Sequence, residues 1–195
     1  MSTDTSQVDL VGDAVVENVA RAALLAALTG AFAYVSFPNP IPAAGVPVTL
    51  QVLGVFLAGL LLGPVWGATS MVLYLLAGAV GAPVFAGGSA GLGTLLGSSA
   101  GYLWSYPLAA FAIGYVAHGG LDLADPADAG VGRLVGATLL GTVIIYTLGV
   151  AGLMVVLGLG PVEAFLAGAA SFVPAEAFKI AAAVGIVRSD AVAAA

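Results

Sequence analysis

Residues 81–102 read GAPVFAGGSAGLGTLLGSSAGY, an apolar stretch with too many glycines to form one ordinary membrane helix. Glycine leaves backbone N–H and C=O groups uncovered and permits positive φ angles. At membrane depth such groups must be met by protein, ligand or trapped water. The stretch therefore predicts a loop that enters the bilayer beside a cavity. The alternative is that its glycines only let helices approach one another closely.

The composition around this stretch is that of an integral membrane protein. Of the 195 residues, 61% are hydrophobic and 7% are charged, and no Asp, Glu, Lys or Arg occurs between Arg21 and Asp122. Such a length accommodates about six spans of roughly 20 residues with short connections. We predict an all-α integral membrane protein with six transmembrane helices, irregular Pro/Gly-rich outward loops and no soluble catalytic domain.

Several functional classes are excluded by what the sequence lacks. There is no cysteine and a single histidine, His118, so disulfides and metal clusters are not expected. The net charge of −6 provides no basic surface for nucleic acid. No Gly-x-x-x-x-Gly-Lys-Ser/Thr motif occurs, so any ATP hydrolysis must come from another polypeptide. We expect no cofactor, metal or nucleic-acid partner.

The chain divides into one membrane domain, residues 19–188, and two short terminal segments. Residues 1–18 are acidic, and their valines recur at the spacing of a short amphipathic helix. Residues 189–195 form a C-terminal tail. The six predicted spans cover approximately residues 19–37, 48–62, 65–80, 100–117, 133–158 and 161–187, with breaks placed at proline and glycine.

Polar and aromatic side chains near the glycine stretch are candidate ligand contacts. Thr49 and Gln51 follow a proline-rich connection and enter an apolar run, where they either cap a helix or contact a ligand. Tyr102 adjoins the glycine stretch, so we expect it to stack on an organic ligand. Trp104 and Tyr106 are interpreted as anchors at the membrane interface. The segment that begins at His118 is interpreted as a solvated connection.

The last span carries two ionisable residues within FVPAEAFK, residues 172–179. Pro174 predicts a kink or a restart of the helix. Glu176 and Lys179 are three residues apart and share a helix face, and Lys179 lies about 13 Å along the axis from Arg188. Ionisable groups at that depth are costly unless paired or hydrated, so they indicate a functional site. The alternative is a self-satisfied structural ion pair.

The first span contains two overlapping pairs of small residues, Ala22 with Ala26 and Ala23 with Ala27. This flat face either contacts a partner helix or packs within the bundle. In a six-span topology Arg21, Arg133 and Arg188 fall on one side of the membrane. The positive-inside rule makes that side cytoplasmic. We therefore predict a multi-pass protein of the cell membrane with both termini in the cytoplasm.

Two segments carry a family resemblance. Residues 46–103, VPVTLQVLGVFLAGLLLGPVWGATSMVLYLLAGAVGAPVFAGGSAGLGTLLGSSAGYL, resemble the central signature of the BioY family, the biotin-binding S components of energy-coupling factor (ECF) transporters. FVPAEAFK is similar to the C-terminal motif of that family. The family usually has Asp at the position of Glu176, and Gly-Pro-Thr-Gly-Gly-Tyr where this chain has GSSAGY, so this chain has a longer acidic side chain and a different turn.

The resemblance implies a six-helix subunit that binds biotin from outside and docks on a transmembrane coupling subunit driven by two cytoplasmic ATPases. The alanine face resembles the AxxxA docking face of such S components, so Ala22, Ala23, Ala26 and Ala27 become docking candidates. The candidate biotin contacts are Glu176, Lys179, Thr49, Gln51, Tyr74, Phe85, Gly88, Ser89, Gly91 and Tyr102.

The ligand chemistry leaves the pose open. Glu176 can accept from the ureido N–H groups of biotin while Lys179 donates to the ureido carbonyl, or Lys179 can meet the carboxylate while Ser89 and loop N–H groups take the other end. Two other functional classes remain. One is a self-sufficient, proton-coupled carrier that uses Glu176. The weaker one is an intramembrane enzyme with Glu176 as acid or base, for which no nucleophile is visible.

Overall fold

A computed structural model describes residues 12–39 and 46–189, so the predicted N-terminal amphipathic helix lies largely outside the described residues, as does most of the C-terminal tail. Two-residue strands β1 (Ser36–Phe37) and β2 (Val48–Thr49) pair antiparallel. The helices are α1 (Asp13–Phe32), α2 (Gln51–Ala79), α3 (Leu92–Leu95), α4 (Ala100–His118), α5 (Val131–Leu157), α6 (Pro161–Gly168) and α7 (Val173–Val187). Short 3-10 turns cover Ala86–Gly88, Pro126–Asp128 and Ala170–Phe172.

Long apolar helices dominate this architecture, as the composition predicts. Within residues 12–39 and 46–189, four helical segments are long and apolar enough to cross a membrane: Asp13–Phe32, Gln51–Ala79, Val131–Leu157 and Pro161–Val187. Many large apolar side chains on these helices and on α4 are exposed. A soluble protein rarely presents so much contiguous apolar surface, whereas a bilayer solvates it. The chain is therefore a mostly helical membrane protein.

The helix α2 is a hairpin of two antiparallel arms. Gly63 has φ 71° and ψ −173°, outside the helical region, and Pro64 follows it. A Cβ atom added to Gly67 would lie 2.7 Å from the carbonyl oxygen of Ala58. Nine residues of straight helix would instead separate those positions by about 13 Å. The chain thus reverses where the sequence predicts a break, between residues 62 and 65.

The helix α1 begins and ends earlier in the sequence than the predicted first span does. The helix runs over Asp13–Phe32, whereas residues 19–37 were predicted. Ser36–Phe37 pairs with Val48–Thr49, and α2 begins only at Gln51. The predicted ends at residues 37 and 48 are therefore wrong. Hydrophobicity alone does not separate a helical end from a short strand, because both are apolar runs.

Basic residues gather at the end of the bundle that carries the turn of α2. Arg133 Nε donates to the carbonyl oxygen of Val116 at 2.7 Å, which places a cation at the C-terminal end of α4. Arg188 Nη1 donates to Ala129 O at 3.2 Å in the connection before α5. Arg21 lines a groove beside the same connection. The three arginines thus share one end, as the six-span topology requires.

His118 is buried at this same end, so the prediction that it begins a solvated connection is wrong. It is the last residue of α4, and its Nε2 lies 2.9 Å from Leu60 O. Its Nδ1 lies 2.7 Å from Ala124 O and 3.1 Å from Ala124 N. The imidazole is buried because it joins the turn of α2 to the α4–α5 connection and satisfies backbone groups of both.

Candidate ligand-binding site

A buried ion pair lies in the first half of α7. Glu176 and Lys179 are 4% and 1% exposed, and Lys179 Nζ lies 2.6 Å from Glu176 Oε1. A 3-10 turn ends at Phe172 and α7 begins at the next residue, so the break predicted at Pro174 is present. This new start puts Glu176 in the first turn of α7, where the helix dipole favours a carboxylate.

Tyr146 of α5 completes the cluster. Its hydroxyl donates to Glu176 Oε1 at 2.6 Å, so two donors converge on one carboxylate oxygen. The other oxygen, Oε2, is buried and has no hydrogen-bond partner among the described residues. An unsatisfied buried acceptor costs about 1–3 kcal/mol. We call Glu176, Lys179 and Tyr146 the charged cluster, and it retains one unused acceptor.

A narrow cavity lies between this cluster, α2, the glycine stretch and α4. Its volume is about 40 Å³, enough for a few water molecules, so a larger ligand must move some of the side chains around it. A few polar groups among apolar and aromatic walls are typical of small-molecule sites. The polar side chains are Thr49, Gln51, Thr94, Ser99, Tyr146 and Lys179, and the other aromatic ones are Phe85, Tyr102, Tyr106 and Phe172.

A second polar group lies across the cavity from the charged cluster. Thr49 Oγ1 donates to Gln51 Oε1 at 2.8 Å, Gln51 Nε2 donates to the Tyr74 hydroxyl, and that hydroxyl donates to Val84 O at 3.0 Å. Thr49 Oγ1 also accepts from the backbone N–H of Gln51, the first residue of α2, at 3.3 Å, although the N-cap residue itself is Leu50. Thr49 and Gln51 line the cavity, whereas Tyr74 lies behind them. We call these three residues the neutral cluster.

The glycine stretch forms a compact turn, and part of it requires glycine. Gly87, Gly88 and Gly91 have φ angles of 65°, 77° and 83°. Side chains rarely adopt this left-handed region, since it places Cβ against the following carbonyl oxygen. Gly101, by contrast, is helical, and a Cβ there would overlap the backbone of Leu148 in α5. Both interpretations of the glycines therefore hold, each at different positions.

Only part of the stretch reaches the cavity. Phe85 and Ala86 line it, and Phe85 packs edge-on against Tyr74 with ring centroids 5.5 Å apart. The structure does not bring Gly88, Ser89 or Gly91 to the cavity. Ser89 is exposed, and its hydroxyl donates to Ala86 O at 3.0 Å within the turn.

Two of the three tyrosines of α4 share a face toward the cavity, and their neighbour Trp104 does not. Tyr102 and Tyr106 are buried, and Trp104 is 55% exposed. The assignment of Tyr106 to the membrane interface is therefore wrong, because residues four apart share a helix face whereas residues two apart do not. Tyr102 also donates to Gly168 O at 2.7 Å.

Tyr146 and Phe172 also line the cavity, and sequence reasoning missed both. Tyr146 carried a usable signal, since it is the one aromatic residue of the 27-residue helix α5. A hydroxyl at the middle of an apolar span requires a partner. The carboxylate of Glu176 was the evident candidate.

The predicted docking face of α1 is divided by the packing of the bundle. Ala22 and Ala26 are buried, and Ser70 of α2 donates to Ala22 O at 2.8 Å. Ala23 and Ala27 are exposed. Ala22 and Ala26 therefore face the bundle and Ala23 and Ala27 face away from it, because successive residues point about 100° apart around a helix. The exposed pair remains available to a partner.

Comparisons with known proteins agree on one family. The BioY family model matches residues 2–194. The chain is 38% identical to the biotin transporter BioY of Rhodobacter capsulatus over 84% of this chain and 87% of that protein. It is 36% identical to the probable biotin transporter BioY of Pyrococcus horikoshii over 86% and 92% of the two chains.

A solved structure is also similar to this chain. It is the crystal structure of the S-component for biotin from an ECF-type ABC transporter, with a TM-score of 0.79, 26% identity, and coverage of 92% of this chain and 93% of that one. These relatives are transporters or a transporter component, which confirms that the chain is not an enzyme. The family resemblance carried by residues 46–103 and 172–179 is confirmed, and the chain belongs to the BioY family.

Proposed function

We propose that this chain is the high-affinity biotin-binding S component of an ECF-type uptake transporter. The observation that carries the proposal is the charged cluster, in which Lys179 and Tyr146 line a mostly apolar cavity and both donate to the buried carboxylate of Glu176, which does not line the cavity itself. Buried ionisable groups in a membrane span indicate function. The names of the BioY relatives and of the S-component structure support biotin as the ligand.

The polar groups match the ureido ring of biotin, which has two N–H donors and one carbonyl acceptor. Lys179 faces the cavity and donates to the ureido carbonyl. Glu176 does not line the cavity, so its unpartnered Oε2 accepts from a ureido N–H once the ligand has displaced the side chains around the cavity. The rings of Phe85, Tyr102 and Tyr106 enclose the apolar part of the ligand. The ligand therefore supplies the donor that the charged cluster lacks.

The topology that we propose has six crossings. They are α1, the two arms of α2, α4, α5, and α6 with α7 together. The end that carries the three arginines is cytoplasmic by the positive-inside rule, so the ribbon β1–β2 and the glycine stretch face outward. Biotin then enters from outside, while the cytoplasmic side docks on a coupling subunit powered by two separate ATPases.

Equilibrium binding tests the ligand directly. The purified chain in detergent is titrated with labelled biotin and, in parallel, with thiamine and riboflavin. We expect saturable binding of biotin and at least about a hundredfold weaker binding of the other vitamins, because only the ureido ring matches the charged cluster. Equal affinity for all three, or no binding of biotin by folded protein, would refute the proposal.

A self-sufficient carrier is the second candidate, since Glu176 is a buried carboxyl with one unused oxygen. Liposomes that contain the purified chain alone separate the two candidates. The S-component proposal expects no concentrative uptake without ATPase partners. Uptake that is driven by a proton gradient in their absence would establish the carrier instead.

The exposed pair on α1 gives the test for docking. We expect Ala23→Leu and Ala27→Leu to reduce co-purification with the coupling subunit by at least about threefold, because bulk prevents close helix approach. Biotin binding in detergent stays unchanged, since the cavity is lined by other elements. Ala151→Leu, at an exposed alanine of α5, is the matched control. Equal co-purification of all three variants would show that this face is not used.

A further inference from the structure

A groove separate from the cavity runs along the outer side of α5. It lies between α5 and the last span, formed by α6 and α7, and it has a volume of about 610 Å³. The α5 side extends from Leu139 to Val150, which is about 16 Å of helix. The opposite side includes Phe165, Val173 and Ile180. Glu176 and Tyr146 of the charged cluster also form part of its wall.

The groove exists because the last span is broken. Ala169, between α6 and the following 3-10 turn, has φ −134° and ψ −58°, so the helix does not continue through it. The break leaves a gap that Ala169, Ala170 and Ala177 line without filling. At the rim, Val143 and Val173 are 61% and 62% exposed. The groove is therefore open toward the surroundings of the bundle.

The depth of the groove determines what surrounds it. Leu139 and Val150 lie about 9 Å and about 26 Å along α5 from Arg133, which marks one end of the bundle. Both distances fall within a hydrocarbon core of about 30 Å. The medium that meets the opening at that depth is the acyl chains of lipids, and polar solutes and water are excluded from it.

Two of the three hydroxyl groups of the wall already have partners, and the third belongs to the exposed Thr147, which has no hydrogen bond to the described residues. Thr142 Oγ1 donates to Thr138 O at 2.9 Å, and the Tyr146 hydroxyl donates to Glu176. The groove therefore offers no free donor to an anionic or carbonyl-bearing ligand from Thr142 or Tyr146. An apolar, flexible and elongated occupant matches its lining best, because dispersion contacts are then gained at no desolvation cost.

We propose that the groove is a binding site for one acyl chain of a membrane lipid. The chain lies along α5 and fills the gap left by the break at Ala169. It covers Glu176 and Tyr146 on the side opposite the cavity, so that hydrocarbon rather than water borders the ion pair there. The site is independent of the identity of the transported ligand.

Photolabelling tests this site without biotin. The full chain is placed in phosphatidylcholine nanodiscs that contain a small fraction of the same lipid with a photoreactive group at mid-chain, and labelled residues are mapped by mass spectrometry. We expect labels at Ala169, Ala170 and Ala177 well above those at the equally apolar but convex surface near Leu108. Val143→Trp, which covers the rim, lowers the groove labels at least threefold.

The matched control is Val155→Trp, at an α5 residue that is 84% exposed and does not line the groove. Val155→Trp is expected to leave the distribution of photolabels over the chain unchanged. Labelling that follows exposure alone over the whole apolar surface would overturn the proposal, as would a groove that labels equally in wild type and Val143→Trp. Cross-links between two copies of the chain at these alanines would also overturn it, in favour of a protein occupant. A negative result for biotin binding would leave this labelling result unaffected.

Discussion

Two polar clusters each contribute two side chains to the same cavity, and they differ in how completely their hydrogen-bonding groups are satisfied. In the neutral cluster, a continuous chain of hydrogen bonds runs from Thr49 through Gln51 and Tyr74 to the carbonyl of Val84. In the charged cluster, two donors converge on one oxygen of Glu176 and the other oxygen has no partner among the described residues. Groups that satisfy one another hold elements together, whereas an unused acceptor is available to a ligand.

The clusters also connect different parts of the fold. The neutral cluster joins the start of α2, its returning arm and the entrance to the glycine stretch, all within 36 residues of sequence, from Thr49 to Val84. The charged cluster joins α5 to α7 across the break in the last span. We therefore expect the neutral cluster to stabilise the outward loops and the charged cluster to determine affinity.

The strongest test of this division is Lys179→Met. The methionine keeps much of the bulk but removes the charge and its donors, and it leaves Glu176 buried without its cation. A hydrogen bond to a charged group contributes about 1.5–3 kcal/mol, so we expect biotin affinity to fall by roughly one to two orders of magnitude. Isothermal titration measures the affinity, and thermal unfolding in detergent measures the accompanying loss of stability.

Variants of the acid provide the matched control. Glu176→Asp keeps a carboxylate, introduces the residue that the BioY resemblance leads us to expect, and preserves binding, whereas Glu176→Gln loses the charge and half of the acceptor capacity and impairs it. If Lys179→Met and Glu176→Gln both bind biotin as the wild type does while unfolding at lower temperature, the ion pair is structural and the division between the clusters is wrong.

Tyr146→Phe is expected to have the next largest effect. It removes one hydroxyl that donates to Glu176 Oε1 and leaves the ion pair in place. The loss of one donor to a charged acceptor predicts about tenfold weaker binding of biotin. Labelled-biotin titration of Tyr146→Phe beside Tyr115→Phe, at an exposed tyrosine of α4, measures it. Wild-type affinity in Tyr146→Phe would show that Lys179 alone orients the acid.

Sequence reasoning located the charged cluster better than the rest of the cavity. Charge is rare in this chain, so Glu176 and Lys179 stand out, and their spacing places them on one helix face. Tyr106 and Phe172 could not be chosen the same way, because an aromatic ring in a membrane helix fits a core, an interface or a ligand site equally well. Whether such a ring points toward the cavity or toward lipid depends on how the helices of the bundle pack.

The fold shows the same limit. The breaks at Gly63-Pro64 and before Pro174 were predictable, since proline lacks an N–H and glycine tolerates φ 71°. The ribbon β1–β2 was not, because its two strands pair across a long connection and carry no alternating pattern. The sequence also did not predict that Ala22 and Ala26 of α1 are buried while Ala23 and Ala27 are exposed. Small residues allow close packing but do not specify which neighbour approaches.

The glycine stretch gives a smaller expected effect than either change to the charged cluster. A side chain at Gly91 meets no atom within 4 Å, so Gly91→Ala costs only the left-handed backbone, about 1–2 kcal/mol. We expect a lower unfolding temperature and, because Phe85 shifts with the turn, a loss of biotin affinity of no more than several-fold. Gly91→Val adds β-branching and weakens both further.

The control for this loop is Gly93→Ala. Gly93 is helical, and a Cβ there also meets no atom within 4 Å. We expect wild-type stability and affinity, since alanine suits a helix better than glycine. A loss of affinity in Gly91→Ala as large as that in Lys179→Met would show that the turn itself contacts biotin, contrary to its position outside the cavity.

The smallest effect on binding is expected for Tyr74→Phe in the neutral cluster. This change removes the hydroxyl that accepts from Gln51 and donates to Val84, and it keeps the ring that packs against Phe85. The buried groups left unpaired cost about 1–3 kcal/mol of stability. Because no ligand contact is lost, biotin affinity changes by less than about threefold.

Thermal unfolding and biotin titration of Tyr74→Phe are measured on the same preparation, so that the loss of affinity can be compared directly with the loss of stability. The charged cluster predicts affinity loss that exceeds stability loss, and the neutral cluster predicts the reverse. A Tyr74→Phe protein that unfolds like the wild type but binds biotin tenfold more weakly would place the ligand against Gln51 and Thr49. Those two side chains line the cavity, so such a result would move the ureido ring from α7 to the start of α2.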